Sequence, residues 1–545
     1  MNTYGNFKND KGDEYQPEVM VWGHRLREGQ HWMEYLLEFL SVLAGYGYQF
    51  GRTDDYRVPA RLGLKRFVFY DEYEKTQDPR DRKAVDLLRQ ELAKHVQANG
   101  HQPEAVLEQL RTLLRSFSVI EANRSWFAKS LFPVHEELLL WEALRKGSTK
   151  NVYRAQVDSL TIELLDAGIE FLPRNFFARG GELYYLMISA GTEQSPEQRQ
   201  RIGHRLRELL VERNQTLGRF AQMINACYSA LIGEEQVVKT EPGWLPDPTC
   251  SLYRQCAKDV DHLLDNRLDA LESLELLAHL IGFHIIIYIY HRAHPNHNDH
   301  IHHTGQCLDQ CRPELLIDIP GDEDSRVIRQ ISASQLLRHE QWQIHRIRTW
   351  FRSDAVAIAQ HKTAEALINA LVDRAEQRVK GKRKVTPQAF QDRITQFRWQ
   401  ALQLKNNTDT IIEHYSQMMY EVTEHNFRQH FIPIHRRLGR SIGLIAPQRG
   451  PQPRFVLGDT LLKTLTMTVI KPLEQAISFG EFLTRLYEQY GIIIGPGEAR
   501  ASRLLERAGV NEGVFARNRE RLLERMKFAG LATIYSDATA MVHRA

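Results

Sequence analysis

The stretch YRQCAKDVDHLLDNRLDALESLELLAHLIGFHIIIYIY, residues 253–290, decides the fold class of this chain. Its apolar residues recur in stripes, which predicts one or two long helices. The most apolar part, IGFHIIIYIY at 281–290, is too short to cross a membrane and contains His284. The chain has no run of about 18 apolar residues, so we expect no transmembrane helix.

Helical patterns also surround this stretch on both sides. Residues 31–46, HWMEYLLEFLSVLAGY, place large apolar side chains three and four positions apart, the spacing of an amphipathic helix. Similar periodicity recurs at 82–97, 104–117, 151–232 and 333–432. A short β element near 57–74 is the exception, with Phe67–Tyr70 as its predicted strand. The sequence therefore predicts a mainly α protein.

Length and composition indicate several ordinary globular domains. The chain has 545 residues, of which 42% are hydrophobic and 26% charged. Proline- and glycine-rich stretches at 241–250 and 446–454 are candidate linkers. We expect an N-terminal helical domain at 1–240, a Cys/His-rich region at 241–332, a helical domain at 333–445 and a compact unit at 455–545.

The N-terminus and the cysteine content suggest a compartment. The first residues, MNTYGNFKNDKGDEYQPEV, are polar and carry no apolar signal-peptide region. Five cysteines in a chain of this length do not form a disulfide framework. We expect a cytoplasmic protein with reduced thiols.

The C-terminal unit has the element order of a winged helix. Residues 478–491 begin at Ser478, with Glu481 three positions later as a capping box, and end at Gly491. A second helix is predicted at 497–509 and a third after Asn511, ending at Gly530. LATIYSDATAMV then reads as a two-stranded hairpin. Three helices and a hairpin predict a small α+β winged-helix domain over roughly 478–545.

The third helix carries a basic stripe. Arg517, Arg521 and Arg525 recur every four residues on one side of the helix, and Phe515, Leu522 and Met526 recur on another. A recognition helix lies in the major groove with such residues toward the bases and phosphates. Arg519, Lys527 and Arg544 could add backbone contacts. The alternative is a solvated helix surface, because Glu520 and Glu524 are interleaved with the arginines.

Positive charge is concentrated in two places. The net charge is only +3, yet the chain from Pro433 onwards contains 17 Lys and Arg but only 10 Asp and Glu. The segment RVKGKRK at 378–384 lies in a predicted loop at 374–388. Such a loop either neutralises phosphates or is a solvated turn. The predicted nucleic-acid contacts are Arg517, Arg519, Arg521, Arg525, Lys527, Lys380, Lys382, Arg383 and Lys384.

Histidines and cysteines cluster in the centre of the chain. HRAHPNHNDHIHHTGQCLDQC at 291–311 contains histidines at 291, 294, 297, 300, 302 and 303. Zinc is commonly held by two short pairs of Cys or His ligands. The pairs Cys250 with Cys256 and Cys307 with Cys311 are candidates, and a histidine could replace a poorly placed cysteine. A structural zinc, a catalytic metal and a plain polar loop all stay open.

The sequence lacks the motifs of several enzyme classes. There is no GxxxxGK[ST], no GxGxxG after a strand, no GxSxG and no HExxH. A metal-dependent nuclease in the region 291–324 is an open alternative, with Asp322 and Asp324 as the acids to test first.

The whole pattern resembles accessory subunits of multi-gene bacterial phage-defence systems, such as Druantia-like operons. The resemblance is based on a large helical chain that ends in the basic tail RNRERLLERMKFAGLATIYSDATAMV, residues 517–542. It implies a non-enzymatic subunit that binds nucleic acid, most simply DNA, within a multi-protein complex. Its partners would include a helicase, an ATPase or a nuclease. A protein-binding scaffold is the remaining alternative.

Overall fold

The computed structural model describes most of the chain after residue 180 and parts of the chain before it. The described ranges are 17–23, 32–51, 180–212, 245–266, 268–297, 311–321, 325–359, 363–379, 387–404, 407–447, 452–536 and 539–544, with shorter stretches between 26 and 172 that include 61–62 and 171–172. Most of these residues are helical and the strands are short. The prediction of a mainly α protein is therefore confirmed.

Many of the helices lie within predicted periodic segments, whereas α1, α11 and α12 do not. The predicted segments 82–97 and 104–117 lie almost wholly outside the described residues. In chain order they are α1 (Pro17–Trp22), α2 (Trp32–Gly45), α3 (Gly180–Gly191), α4 (Pro196–Arg207), α5 (Ser251–Leu264), α6 (Ala270–Ala293), α7 (Ser325–Ala359), α8 (Ala364–Val379), α9 (Pro387–Gln403), α10 (Thr408–Asn426), α11 (Pro433–Ser441), α12 (Asp459–Val469), α13 (Phe479–Tyr490), α14 (Pro496–Ala501), α15 (Leu504–Ala508) and α16 (Glu512–Phe528). Single π-helical turns follow α4 and α10.

The strands are short, lie in the segments that connect helices, and pair into small sheets. They are β1 (Arg61–Leu62), β2 (Phe171–Leu172), β3 (Leu315–Leu316), β4 (Ile445–Ala446), β5 (Arg454–Phe455), β6 (Ala476–Ser478), β7 (Ile492–Ile493), β8 (Ala532–Ser536) and β9 (Thr539–His543). The pairs β1–β2 and β4–β5 are antiparallel, β3–β7 is parallel, and β6–β9–β8 form a three-stranded antiparallel sheet. The predicted strand at Phe67–Tyr70 lies outside the described residues, but β1 falls within the predicted β element.

Helix α6 is the centre of the molecule. Asp269 caps its start by accepting a hydrogen bond from the Glu272 amide, and α2, α5, α7, α11 and α12 pack around it. The helix is long and apolar enough to cross a membrane, yet 83% of its most apolar window is buried inside the protein. A helix that is apolar on all sides has to be covered by other elements. Here other helices of the same chain cover α6, as neighbouring elements cover the core helix of a soluble protein.

Glycines let two helix pairs cross closely beside α6. A Cβ added to Gly181 would lie 2.3 Å from the Tyr35 carbonyl oxygen in α2. One added to Gly191 would lie 2.0 Å from the Tyr253 carbonyl oxygen in α5. Side chains larger than hydrogen are therefore incompatible with these crossings, which hold α3 against α2 and α5.

The C-terminal elements are attached to the rest of the chain through a strand pair. Gly491 takes a left-handed conformation (φ +71°) and turns the chain from α13 into β7. Its carbonyl then accepts a hydrogen bond from the Leu315 amide, and Ile493 accepts one from Ile317. The parallel pair β3–β7 therefore joins residues of the central region to residues of the last unit.

One large apolar cluster crosses the predicted domain boundaries. Its buried side chains range from Met20 through α6 to Val542, and they include members of all four predicted domains. The candidate linker at 446–454 connects two paired strands, β4 and β5. The four-domain division stays a prediction, and the described parts of the four regions pack against one another.

Candidate functional site

Helix α16, the predicted recognition helix, has a buried side and an exposed side. Asn511 caps its start by accepting a hydrogen bond from the Gly513 amide. Phe515, Asn518, Leu522 and Met526 are fully buried, and they follow the three- and four-residue spacing of an inward face. The arginines at 517, 521 and 525 each precede one of the last three of these residues, so they lie along the edge of that face.

Two of the predicted nucleic-acid contact residues, Arg525 and Arg521, instead contact other parts of the same chain. Arg525 forms an ion pair with Asp459 at the start of α12, with its Nη2 atom 2.5 Å from Oδ1. The Arg521 side chain lies against Gly321, where an added Cβ would come within 2.3 Å of the guanidinium carbon. Two of the three arginines of the basic stripe therefore face the body of the protein, which sequence spacing alone did not reveal.

Other basic side chains of α16 are exposed but mixed with acidic ones. Arg517, Arg519 and Lys527 are exposed, and the Arg519 guanidinium lies 5.4 Å from the centre of the Phe479 ring. Glu520 and Glu524 are also exposed and lie opposite the buried face, because each is two residues from a buried position. A helix that presents two carboxylates outward is poorly suited to approach a phosphate backbone.

Asn518 is the residue of α16 that sequence reasoning missed. Its side-chain amide donates hydrogen bonds to the carbonyls of Ile317 and Ile494, at 3.0 and 2.9 Å, and its oxygen accepts one from the Ile319 amide. One fully buried side chain thereby links α16 to the segments that continue β3 and β7. A polar residue at an inward-facing position of an amphipathic helix was the signal in the sequence.

Comparison of the chain with protein-family models, curated proteins and solved structures found no match in any of the three. The function must therefore be argued from the geometry.

The loop predicted at 374–388 is shorter than expected, because residues 374–379 continue helix α8 and residues 387–388 begin α9. Ion pairs of Arg374 and Arg378 with Asp354 hold the end of α8 in place. Arg378, the first residue of RVKGKRK, is buried, bonds Asp354 of α7 and lies 4.4 Å from the centre of the Trp350 ring. Burial raises the pKa of Asp354, but hydrogen bonds and charge from Arg374 and Arg378 outweigh it and hold that pKa below its ordinary value. Lys380, Lys382, Arg383 and Lys384 lie outside the described residues. They connect the end of α8 at Val379 to the start of α9 at Pro387.

The candidate metal ligands are only partly described. Cys250, Cys256 and Cys311 are buried, whereas Cys307, His300, His302, His303, Asp322 and Asp324 lie outside the described residues. Within the described ranges, no three or more His, Cys, Asp or Glu side chains form a group that could hold a metal ion. Burial raises the pKa of the Cys256 thiol, with Asp259 and Cys250 adding to the effect, which opposes the thiolate that zinc requires.

A buried polar chain connects α3, α5 and α6. His284 accepts or donates through both ring nitrogens, to Tyr184 Oη at 2.9 Å and to Asp259 Oδ2 at 3.0 Å. Burial raises the pKa of Tyr184 well above its ordinary value. The three side chains are at most 1% exposed, so this arrangement resembles a catalytic triad in composition but is sealed from any substrate. We interpret it as a satisfied core network.

Five of the 17 Lys and Arg residues from Pro433 onwards form ion pairs with acids of the preceding chain. The pairs are Arg436 with Glu340, Arg454 with Asp318, Lys463 with Glu272, Arg507 with Glu314 and Arg544 with Asp265. Part of the positive charge after Pro433 is therefore balanced by acidic residues earlier in the same chain.

Proposed function

We propose that the protein is a non-enzymatic nucleic-acid-binding subunit of a bacterial multi-protein complex, and that it contacts nucleic acid through the basic segment 380–386. One observation supports this choice of surface. The sequence has no acidic residue between Glu376 and Asp392, whereas the arginines of α16 are interleaved or paired with acids. The contact residues are then Lys380, Lys382, Arg383 and Lys384.

The anchoring of this segment also favours binding. Arg378 and Arg374 hold the end of α8 on Asp354, so the segment begins at a fixed point. Phosphate contacts depend on placing several cations along a strand at low entropic cost.

We further propose that residues 476–543 form a winged helix. Support comes from the order β6, α13, β7, α14–α15, α16, β8 and β9, together with the sheet order β6–β9–β8. In this unit the third helix packs through Asn518 and Arg525 onto the body. Its role in the proposal is therefore to hold the chain together and to offer a surface to a protein partner.

A specific observation favours protein binding by this unit. Phe528 is 91% exposed and Tyr535 is 68% exposed, although both are large and apolar. Tyr535 lies in β8, an edge strand whose described partner is β9 alone. Exposed edges and aromatic side chains are typical of sites that accept another protein. A helicase, ATPase or nuclease subunit of a phage-defence complex in the cytoplasm is the partner class that the sequence resemblance implies.

Equilibrium binding to labelled DNA and RNA at several salt concentrations tests the proposed contact surface. The triple variant Lys382→Gln, Arg383→Gln, Lys384→Gln should bind more weakly. Its logarithmic salt slope should fall by about 3, at about 0.9 per lost phosphate contact on duplex DNA.

The matched control removes the same charge from α16. Arg517→Gln, Arg519→Gln, Lys527→Gln should keep both the affinity and the salt slope of the parent protein. If the α16 variant loses binding while the loop variant retains it, the contact surface is the helix and the proposal is wrong. A parent protein that binds neither nucleic acid at low salt would also overturn it.

A metal-dependent nuclease centred on 291–324 stays a prediction. Asp322 and Asp324, its leading acids, lie outside the described residues. Cleavage of labelled DNA with Mg²⁺ or Mn²⁺, abolished in Asp322→Ala, would establish it.

A further inference from the structure

Helices α9 and α10 lie side by side and leave a groove of about 230 Å³ between them. They run antiparallel there, because Arg393 forms an ion pair with Glu421 at one end and Gln400 contacts His414 at the other. The two contacts are seven positions apart along each helix, so the groove extends for two turns, about 10 Å. Its volume lies between a cavity of about 150 Å³ that takes benzene and a pocket of about 300 Å³ that takes a drug-sized molecule. The groove therefore has the size for one planar ring system.

The groove has an apolar floor and polar walls. Phe397 of α9 and Met418 of α10 are its buried members, with exposed fractions of 2% and 5%, and they form the floor. The other lining residues are more exposed and include Gln396, Gln400 and Gln417. A flat molecule with apolar faces and polar edges matches this division.

The charged groups that border the groove bind one another. Glu421 accepts hydrogen bonds from the Arg393 guanidinium and, at 2.7 Å, from the Gln417 amide nitrogen. The ion pair is neutral as a whole, so the groove favours an uncharged ligand over a phosphate or a metal ion.

The polar walls keep hydrogen-bonding capacity for a ligand. The Gln400 amide oxygen, 3.3 Å from His414 Nδ1, can only accept, so that ring nitrogen carries a proton. In the neutral ring His414 Nε2 is then an acceptor, the Gln400 nitrogen a donor and the Gln417 oxygen an acceptor. Among the described residues none of these three atoms has a further partner. Donors and acceptors beside an apolar floor suit the edge of a nucleobase.

Trp399 stands beside this groove and is 64% exposed. It follows Gln396 by three residues, so the two side chains are neighbours on the surface of α9. Of the described tryptophans, Trp399 is the only one that is mostly exposed. An exposed indole ring is a platform on which an unpaired base can stack.

We propose that the groove between α9 and α10 binds an unpaired nucleobase of a single strand, with Trp399 as the stacking platform at its rim. This rests on the proposed function and adds that the nucleic acid is single-stranded where it meets α9. Bases inside a duplex are stacked and paired, so their faces and edges cannot enter such a groove. Every residue of this base site lies within the described ranges.

The base site is within reach of the proposed phosphate contacts. The basic segment 380–386 leads directly into α9 at Pro387, and Arg393 lies six residues further, about 9 Å along the helix. One strand could therefore contact the basic segment through its phosphates and the groove through a base.

Equilibrium binding of short labelled strands to the full-length protein tests this proposal. Two DNA strands of equal length and charge are compared, one of mixed sequence without self-complementarity and one that is abasic throughout. The parent protein should bind the base-bearing strand about 10-fold more tightly, because only that strand can stack on an aromatic side chain.

Variants of the groove should act on the base-bearing strand alone. Trp399→Ala and Gln417→Ala should remove most of the difference between the strands, with the affinity for the abasic strand unchanged. Trp399→Phe should retain it, since a phenyl ring still stacks. The controls are Gln391→Ala, an exposed residue of α9 outside the groove, and Phe528→Ala, an exposed aromatic residue of α16. Both should behave as the parent.

The triple variant Lys382→Gln, Arg383→Gln, Lys384→Gln separates this proposal from the proposed function, because it should weaken both strands alike. A parent protein that binds the two strands equally overturns the base site and leaves the phosphate contacts in place, whereas one that binds neither overturns both. A folded Trp399→Ala variant that keeps the full difference also overturns the base site. So do free deoxynucleosides that bind as tightly as the strand, since the groove would then be a small-molecule site.

Discussion

At the scale of single residues, Asn518 shows how a polar side chain can hold two parts of a chain together. Its amide satisfies two backbone carbonyls and one backbone amide that would otherwise be buried without partners. Leaving such groups unsatisfied costs about 1–3 kcal/mol each, more than a satisfied hydrogen bond contributes. Removing Asn518 therefore destabilises the protein mainly because it leaves these buried backbone groups without hydrogen-bond partners.

We expect Asn518→Ala to lower the free energy of unfolding by about 2–4 kcal/mol. Chemical denaturation followed by circular dichroism measures this change. Glu524→Ala, on the exposed side of the same helix, is the control and should change stability by less than about 0.5 kcal/mol. Equal effects of the two substitutions would contradict the assigned role of the amide.

Buried histidines also make the stability depend on pH. Burial lowers the pKa of His339 to about 3, while its Nε2 bonds the Glu314 carbonyl and its ring stacks on Tyr290. In the unfolded chain this group titrates near 6.5. Its contribution to stability is therefore complete above about pH 6.5 and is lost as the pH falls toward 3, because only the unfolded chain takes up the proton there.

Between pH 6 and 4 we expect His339 to cost about 1.4 kcal/mol of stability for each unit of pH lost. His339→Gln should flatten the measured dependence of unfolding free energy on pH in this range. His345→Gln, at an exposed position of the same helix, should leave the slope as it is. An unchanged slope in His339→Gln would show that other groups cause the acid sensitivity.

At the scale of elements, close helix crossings constrain the sequence more than helix propensity does. Gly191 is the last residue of α3, where an added methyl group would overlap the Tyr253 carbonyl of α5. Gly480 lies in the first turn of α13, and a Cβ added there would have nothing within 4 Å. A side chain can therefore replace the glycine at position 480 but not the glycine at position 191.

Gly191→Ala should lower the melting temperature strongly, with a loss of about 2–4 kcal/mol, because α3 and α5 must separate. Gly480→Ala should leave stability unchanged or raise it by up to about 1 kcal/mol, since alanine is the better helix former. Calorimetry on both variants compares them directly. A stable Gly191→Ala protein would mean that the crossing adapts more easily than the backbone distances suggest.

Element ends could be predicted from the sequence, but the direction an element faces could not. Ser478 accepts the Glu481 amide and Gly491 adopts the left-handed conformation, as the capping pattern predicts. These contacts involve neighbours within a few residues. The partner of Arg525 is 66 residues away in sequence and that of Asn518 is 199 away. No local pattern carries that information, so the spacing of the arginines could not show that part of the basic stripe faces the protein.

At the scale of the whole molecule, charge joins the tail to the body. Arg507 binds both carboxylate oxygens of Glu314, at 2.6 and 2.8 Å, across a sequence separation of 193 residues. Similar pairs link Lys463 and Arg436 to α6 and α7, and Arg454 to Asp318 in the segment after β3. A sequence with one basic end predicts an external polyanion only when the rest of the chain has no acids facing that end.

A double-mutant cycle on Glu314 and Arg507 should give a coupling energy of about 0.5–1 kcal/mol, since both groups are partly exposed. Among these variants, Glu314→Arg alone should lower the free energy of unfolding most, because it places a positive charge beside Arg507 and Arg338. The charge-swapped pair, Glu314→Arg with Arg507→Glu, should recover part of the loss. Additive effects would show that the contact contributes nothing to holding the tail.

The sequence predicted the mainly helical architecture, and in the last unit it predicted α13, α16 and the β8–β9 hairpin, because these depend on periodicity and caps. The single helix predicted at 497–509 was wrong: Arg503 adopts a left-handed conformation (φ +55°) that divides it into α14 and α15, and strands β6 and β7 were not predicted. It predicted the candidate site less well. The basic segment 380–386 is a local charge pattern and keeps its role as a proposal, whereas two arginines of α16 contact residues that are distant in the sequence. The cysteine pairs predicted a metal site, which stays a prediction, because Cys307 lies outside the described residues and Cys250, Cys256 and Cys311 are buried.

The parallel pair β3–β7 has a consequence for how the protein is made. The segment Leu315–Ile319 is buried in the finished molecule and mostly apolar. It leaves the ribosome well before Ile492 and Asn518 have been synthesised. At translation speeds of about 5–20 residues per second, the wait is on the order of 10–40 s. During that interval an unpaired apolar strand is open to wrong partners, so newly made chains should depend on a chaperone that covers it until the C-terminus arrives.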